Sequence, residues 1–445
     1  MTTVESTQYD DLGRVVSTTD ILGRVTSTQY NEDLLTTTVT TPSGATLITK
    51  TYYDGTTILQ TGTGQREMET QLELTQEGIL TTTLSQGVVL SQTLQNGFGQ
   101  TIRQEQPNTL EGFIVTSNTY NSKGQRIRTQ TEEMAPTLTE YNELGQTVKQ
   151  TVLLDQLHPG DPAKNRISES SSCYQIRKDG IYQVQTSITY NAEGLPLTQT
   201  TETMVSQLDP VLESKTIATD VYSQQSVQWT EYTAPTKRTR FSRIPTSDIV
   251  AESLVVDGFT VSQSDHSGIH SSRQLSFTSE GMIQQQADAR GNVTTIETDL
   301  AERTIRTTDA QGNITSTAYS PCCDAPSCIT DALGGTTCYS YDIRGRKTAE
   351  FGTAIQPACF AYDENDHMIA LTTFRADQGD ITTDPSHRTD GDTTTWLYDT
   401  ATGLELKKTY SDGSCVSRTY DRLNRLETLT KARGIITSYT YAPFT

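Results

Sequence analysis

The sequence predicts an all-β protein built from antiparallel hairpins, with almost no helix. Turn signals recur every 10 to 12 residues, and the segments between them are rich in Thr, Val, Ile and Tyr and too short for helices, as at 24–30, 126–131 and 313–319. No longer stretch shows the 3.6-residue periodicity of an amphipathic helix. We therefore expect short antiparallel strands joined in a meandering sheet.

The turns themselves define a tandem repeat of 21 residues. Tyr-Asn-x-x-Gly at 120–124 returns at 141–145, and Asp-Ala-x-Gly-Asn at 288–292 returns at 309–313. Half-periods also occur, since Asp10 and Gly13 are followed ten residues later by Asp20 and Gly23. An Asp or Asn side chain caps the backbone of a turn and Gly tolerates positive φ, so each repeat is expected to contain two turns.

Composition excludes several classes of protein. The 34 Lys and Arg residues against 54 Asp and Glu give a net charge of -20, which repels phosphates and argues against a nucleic-acid partner. No apolar run is long enough for a membrane span, and the first residues lack a signal-peptide pattern. Low apolar content and high charge are typical of disorder, but 20 Tyr in a regular turn pattern favour an ordered chain.

The repeat motif resembles the Rhs/YD-repeat family. Tyr-Asp-x-x-Gly-Arg occurs at 9–14 and 341–346, and Gly-Asn-x-Thr follows at 291 and 312. The resemblance implies a β-ribbon that curves or spirals into a partial shell, as in bacterial toxin shells, toxin-complex components and teneurins, where the shell encloses cargo. It also implies a secreted or cell-surface location. The resemblance extends over residues 8–31, 119–150, 189–200, 287–365 and 397–445.

Two departures from the family leave the chain's role open. It lacks the Asp-Pro-x-Gly core motif near which the toxin-bearing relatives cleave themselves, and no cargo module follows the last repeat. A fragment, an open shell and an assembly subunit are all compatible with the sequence. We expect three parts: YD-like repeats at 1–154, degenerate β repeats or an insertion with loops at 155–286, and YD repeats with a Cys-rich turn at 287–445.

A cluster of cysteines is the candidate metal site. Close thiolates bind zinc, but the spacing here is not the usual pair of Cys-x-x-Cys motifs. A disulfide between adjacent hairpins and free thiols packed in the sheet are the alternatives, and no cofactor is predicted. The cluster consists of Cys322, Cys323, Cys328 and Cys338.

The sequence gives only weak signals for catalytic or ligand-binding residues. Asp54 and Asp412 precede Gly-Thr and Gly-Ser, an inverted form of the aspartic-protease motif, although a turn role is favoured. Aromatic rings in the last repeats are candidates for stacking sugars, with cross-strand packing as the simpler interpretation. The aromatic candidates are Trp396, Tyr398, Tyr410 and Tyr420.

Basic residues that follow the turn glycines have a structural interpretation. We expect Arg14, Arg24 and Arg346 to be sheet-surface or cross-strand partners of the Asp at the preceding turn. The leading functional hypothesis is a noncatalytic shell, scaffold or surface-adhesion module whose partners are other repeat segments, an enclosed cargo, or host or cell-surface glycans or proteins. The alternatives are a surface hydrolase with paired carboxylates acting on glycoproteins, and a glycan-binding module.

Overall fold

The computed structural model describes most of the chain. The described residues are 5–208, 211–233, 236–244, 249–265, 270–321, 323–375 and 379–442.

Within these residues the chain forms strands joined by turns, with no α-helix. The first strands are β1 Ser6–Tyr9, β2 Val15–Thr19, β3 Val25–Asn31, β4 Thr36–Thr40, β5 Thr46–Thr51, β6 Thr57–Thr61, β7 Met68–Leu74, β8 Ile79–Ser85, β9 Val88–Gln95, β10 Thr101–Pro107, β11 Phe113–Tyr120 and β12 Arg126–Thr131. The middle strands are β13 Thr137–Tyr141, β14 Thr147–Val152, β15 Arg166–Ile176, β16 Gly180–Tyr190, β17 Pro196–Gln207, β18 Leu212–Thr219, β19 Gln225–Thr233, β20 Thr236–Ile244, β21 Ile249–Val256, β22 Phe259–Asp265, β23 His270–Phe277, β24 Gly281–Ala287 and β25 Val293–Asp299. The last are β26 Thr304–Thr308, β27 Ile314–Tyr319, β28 Pro326–Thr330, β29 Thr336–Tyr341, β30 Lys347–Phe351, β31 Ala358–Tyr362, β32 Met368–Thr373, β33 Asp392–Tyr398, β34 Glu405–Thr409, β35 Cys415–Tyr420, β36 Leu426–Thr430 and β37 Ile436–Ser438. One turn of 3₁₀ helix, Pro385–His387, lies between β32 and β33.

Along most of the chain, strands that are consecutive in the sequence form antiparallel pairs, as for β1 with β2 and for β35 with β36. The strands belong to one open sheet. The prediction of an all-β, antiparallel hairpin protein is confirmed. None of the described helices is long and apolar enough to cross a membrane.

The hairpin turns follow the chemistry that the repeat motif predicts. In the turn between β1 and β2, the Asp10 carboxylate accepts the amides of Leu12 and Arg14 at 3.0 and 2.9 Å. The Gly13 amide donates to the Asp10 carbonyl, and Gly13 has φ 76°. A register shift at Gln8/Tyr9 marks the bulge that accompanies this type of turn.

The described residues fall into two compact units. The first unit contains the described residues of 5–116, Thr278–Met282 and Ile296–Ala442, and the second contains those of Ser117–Phe277 and Ile283–Thr295. Strands continue through residues 155–286, where the repeat motif fades in the sequence. Whether the three predicted parts at 1–154, 155–286 and 287–445 are separate domains stays a prediction.

Each unit has a thin core, because most strand side chains are only half-buried. In the first unit Leu94, Ala349 and Phe374 are buried, and in the second unit Tyr182 and Val184 are. With so little apolar burial, backbone pairing and the polar contacts at the turns must contribute much of the order.

Two glycines in the first unit allow a matched test of the turns. Gly78 has φ 145°, and an added Cβ would lie 1.8 Å from the Gln95 carbonyl oxygen, whereas Gly13 has open space around it. We expect Gly78→Ala to lower the free energy of unfolding by about 3 kcal/mol or more, because strain and a backbone clash add. Gly13→Ala should cost about 1 kcal/mol. Urea unfolding followed by circular dichroism measures both; equal losses would contradict the placement of Gly78.

Candidate functional site

The repeated turn carries an ion pair that the sequence predicts. Arg14 Nε lies 2.8 Å from Asp10 Oδ2, and the pairs Arg24–Asp20 and Arg346–Asp342 are both 2.7 Å apart. The Gly of the turn brings the chain back toward the Asp, so the Arg four residues later reaches the same carboxylate that caps the turn. The predicted pairing of the post-Gly Arg residues with the turn Asp is confirmed.

A tyrosine from the following strand completes this arrangement. The Arg14 guanidinium lies over the Tyr30 ring, 4.4 Å from its centroid, and the Tyr30 hydroxyl donates to the Val15 carbonyl at 3.1 Å. We call this set of three side chains, with the Arg four and the Tyr twenty positions after the Asp, the Asp-Arg-Tyr clasp. Complete clasps among the described residues are Asp10-Arg14-Tyr30, Asp299-Arg303-Tyr319, Asp342-Arg346-Tyr362 and Asp421-Arg425-Tyr441.

The tyrosine hydroxyl bond is more widespread than the complete clasp. It joins each Tyr to the carbonyl fifteen residues earlier, at 2.7 to 3.1 Å, and thereby fixes the register of the second strand of the hairpin against the preceding turn. The bond is made by Tyr30, Tyr141, Tyr319, Tyr341, Tyr362, Tyr420 and Tyr441.

Hydrogen bonds from the arginines hold the turn carboxylates ionised. Burial on its own would raise the pKa of Asp20, Asp299 and Asp421, but bonds from the backbone and side chain of the turn Arg outweigh burial and keep each pKa below its ordinary value. For Asp10 the backbone amide of Arg14 is the main cause of the lowered pKa.

Within the first unit, turns that are about 300 residues apart in the sequence lie against each other. Turns of an antiparallel ribbon alternate between its two edges, so residues 1–116 and 296–442 each have two rows of turns. The turns at 20–24, 41–45, 62–66 and 108–112 of residues 1–116 contact the turns at 320–325, 342–346 and 421–425 of residues 296–442. We call this contact the seam.

Arginines supply the charged contacts of the seam. Arg24 Nη1 lies 2.8 Å from Asp324, which also accepts Arg303 of its own row at 3.2 Å. Arg344 donates to the carbonyls of Thr63 and Gln65, both at 3.2 Å, and its side chain is only 16% exposed. Hydrogen bonds from a half-buried guanidinium to backbone carbonyls are stronger than bonds between neutral groups.

An asparagine pair forms the far end of the seam. Asn424 occupies the positive-φ position of its turn, with φ 60°, where most repeats have Gly. Its amide donates to the Pro107 carbonyl at 3.1 Å and accepts the Thr109 amide at 3.2 Å. The buried Asn108 in turn donates to the Arg422 carbonyl at 3.3 Å. Asn424 therefore forms hydrogen bonds with backbone groups of the opposite turn, and it also adopts the positive φ that its own turn requires.

The two candidate catalytic aspartates lie in hairpin turns. Asp54 accepts the Thr56 amide at 2.9 Å and Asp412 accepts the Ser414 amide at 2.9 Å. The bond from Thr56 lowers the pKa of Asp54, and bonds from Ser414 lower the pKa of Asp412. Both carboxylates act as turn caps in the structure, and a catalytic role for them stays an untested hypothesis.

The structure pairs two of the four clustered cysteines. Cys328 and Cys338 are directly opposite each other on β28 and β29 and form a disulfide. Cys323 lies in the turn before β28, and Cys322 lies outside the described residues. Among the described residues, no three His, Cys, Asp or Glu side chains are grouped closely enough to hold a metal ion. The structure thus contains a disulfide, but it lies within one hairpin and not between two adjacent hairpins as the alternative had it.

The candidate sugar-stacking aromatics make internal contacts. Lys408 Nζ lies 5.1 Å from the Trp396 ring and 5.0 Å from the Tyr410 ring. Tyr420 makes the repeat hydroxyl bond, to Glu405, and Tyr398 makes its equivalent to Met368 at 3.1 Å. Tyr398 is 30 rather than 15 residues from its acceptor because a long loop separates β32 from β33. A ligand-binding role for these rings stays a hypothesis.

The second unit has a polar trough that the sequence pattern did not reveal. It has a volume of about 540 Å³ and crosses strands β19 to β23. Arg240, the one basic residue among those that line the trough, binds Glu252 at 2.6 Å and Glu231 at 3.1 Å, and Glu252 also lies 3.7 Å from Arg238. Other lining residues are Gln228, Phe241, Gln263 and Asp265.

The fold and the clasp define a tandem β-hairpin repeat protein. Residues 9–46, which contain the first clasp, match the family model described as RHS Repeat. This match supports the expected resemblance to the Rhs/YD-repeat family over residues 9–46. No curated protein matches the chain.

Solved structures with partial similarity come from toxin complexes. The Photorhabdus luminescens Tc holotoxin pore is 12% identical, with 96% of this chain and 24% of that chain covered and a TM-score of 0.47. The TcdB2-TccC3 complex is 13% identical, with 96% and 30% covered and a TM-score of 0.37. The chain thus spans less than a third of the length of either.

The clasp makes stability depend on pH. Because the folded pKa of Asp299 lies below its ordinary value, the stabilisation is present above about pH 4 and is lost as the pH falls toward the folded pKa. We expect Asp299→Asn to cost about 1 kcal/mol at pH 7 and less at pH 3. Urea midpoints at the two pH values measure this. The control is Asp11→Asn, at an exposed aspartate outside the clasps. The same pH dependence of stability in the parent protein, Asp299→Asn and Asp11→Asn would refute the assignment.

A substitution at Asn424 can test the seam without disturbing the conformation of the turn. Asn424→Gly restores the residue that the positive φ favours and removes both bonds to the opposite turn. We expect a net loss of about 1 kcal/mol and faster hydrogen exchange at the Thr109 amide. Glu302→Gly changes the same turn position, φ 61°, without a described seam bond and should leave Thr109 unaffected. Unchanged exchange at Thr109 in Asn424→Gly would contradict the seam.

Proposed function

We propose that this chain is a noncatalytic structural module, a wall-forming ribbon that serves as a shell or scaffold. The observation that carries the proposal is the seam. Two rows of turns about 300 residues apart are joined by Arg24, Arg344 and Asn424, so residues 1–116 and 296–442 form one continuous two-ribbon surface. Such lateral joining is what a wall requires and what a single-site enzyme or binding domain does not.

The use of polar side chains supports the same function. Clasp carboxylates bind arginines, and Asp54 and Asp412 cap turns. In the trough, Glu231 and Glu252 share the cation of Arg240. A general acid and base need carboxyl groups that are available to exchange protons with substrate, whereas these carboxylates bind arginines or cap turns.

Location and partners follow from the family and are part of the proposal. A secreted or cell-surface ribbon would contact other repeat segments, an enclosed cargo, or surface glycans and proteins. The structural role requires only that the seam and the clasps hold under the conditions outside a cell.

Limited proteolysis tests whether the seam joins the two rows of turns, as the proposed structural role requires. We expect Arg344→Ala to increase cleavage in the turns 62–66 and 342–346 several-fold, because the guanidinium no longer bonds the carbonyls of Thr63 and Gln65. The exposed Arg433, in a turn away from the seam, gives the matched control Arg433→Ala, which should be cleaved like the parent protein.

Activity assays test the noncatalytic part of the proposal. The purified chain should not turn over glycoside or peptide substrates above a heat-denatured control. Turnover that is abolished by Asp54→Asn, Asp412→Asn or Glu252→Gln would overturn the proposal in favour of the paired-carboxylate hydrolase.

A further inference from the structure

The seam uses only one of the two rows of turns in each part of the first unit. In residues 1–116 the remaining row lies on the opposite edge of the ribbon, and we call it the first open edge. It consists of the turns at 10–14, 31–35, 52–56, 75–78 and 96–100. In residues 296–442 the remaining row, the second open edge, consists of the turns at 309–313, 331–335, 352–357, 410–414 and 431–435 and the loop at 374–391.

One turn sequence occurs both at the seam and on an open edge, and its exposure differs between them. Asp-x-Leu-Gly-Arg or its Asn variant is found at 10–14, 20–24 and 421–425. At the seam, Leu22 and Leu423 are partly covered, whereas Leu12 on the first open edge is 68% exposed. The turn sequences are alike, so the difference in exposure goes with the position of the turn, at the seam or on the open edge.

Large apolar side chains stand at several tips of the open edges. On the first open edge Tyr53 is 94% and Phe98 is 91% exposed. On the second open edge Leu333 is 97% exposed. Rows of exposed large apolar groups on a folded surface are typical of an interaction site.

We propose that the first open edge of one molecule binds the second open edge of another copy of this chain. The seam is the template, since it already joins these same two parts of the chain, turn row against turn row, through carbonyls and polar side chains. The docking of a copy would repeat that arrangement and cover Tyr53, Phe98 and Leu333. This inference rests on the proposed structural function and extends it to self-assembly.

The two open edges are different surfaces, so the contact is heterologous. Each bound copy then presents a fresh edge, and assembly continues instead of stopping at a dimer. We therefore expect the weight-average mass to rise with concentration to more than twice that of the monomer. Sedimentation velocity and equilibrium measurements on the full chain give this quantity.

Two complementary variants test the contact. Tyr53→Ser with Phe98→Ser damages the first open edge only, and Leu333→Ser damages the second only. We expect each variant alone to stay monomeric where the parent protein assembles. Because each retains the edge that the other lacks, an equimolar mixture should form pairs that grow no further.

A matched control and two opposing outcomes complete the test. Leu157, 86% exposed in the loop before β15, gives Leu157→Ser, which should assemble like the parent. A parent protein that is monomeric at all concentrations, or a mixture of variants that does not pair, would overturn the proposal. If the seam also proves intact by Thr109 exchange, such a result would leave the proposed structural function standing.

Discussion

The pairing of an arginine with both the aspartate of its turn and the tyrosine of the next repeat is the interaction on which the ribbon depends. In the first repeat, Asp10 fixes the turn, Arg14 neutralises Asp10, and the Tyr30 ring lies under Arg14. Each of the four described clasps therefore joins three successive strands and couples its repeat to the next. Since the apolar core is thin, this nearest-neighbour coupling takes the place that burial has in a globular domain.

Part of the seam depends on the clasps, because two of its turns, at 342–346 and 421–425, are clasp turns. Arg344 lies between Asp342 and Arg346 of one clasp, and Asn424 lies between Asp421 and Arg425 of another. A clasp holds its turn in one conformation, which presents Arg344 or Asn424 to the opposite row at bonding distance. Local turn chemistry thus determines a contact between residues that are distant in sequence.

Sequence reasoning predicted the local features and missed the distant ones. The strands, the Asx turns and the pairing of Arg14 with Asp10 follow from residue type and spacing within a few positions. The register bond of Tyr420 was visible only as a constant spacing and was overlooked, because the ring was considered only for cross-strand packing and sugar stacking. The seam depends on small twists that add up over many strands, and no local sequence pattern encodes that sum. The one sequence signal of the seam was Asn424, which stands at a turn position where most repeats have Gly. The Arg240 trough lies where the repeat fades.

The distance in sequence between the two sides of the seam has a kinetic consequence. A ribosome that adds about 5 to 20 residues per second needs roughly 15 to 60 seconds to make the 300 residues between Arg24 and Asp324. Hairpins close in microseconds, so the first ribbon is folded long before its partner row exists. During that interval the turns around Arg24 and Asn108 are uncovered, and a nascent chain on the same messenger RNA could occupy them. Synthesis rate and chaperone protection would then decide how much correctly joined protein forms.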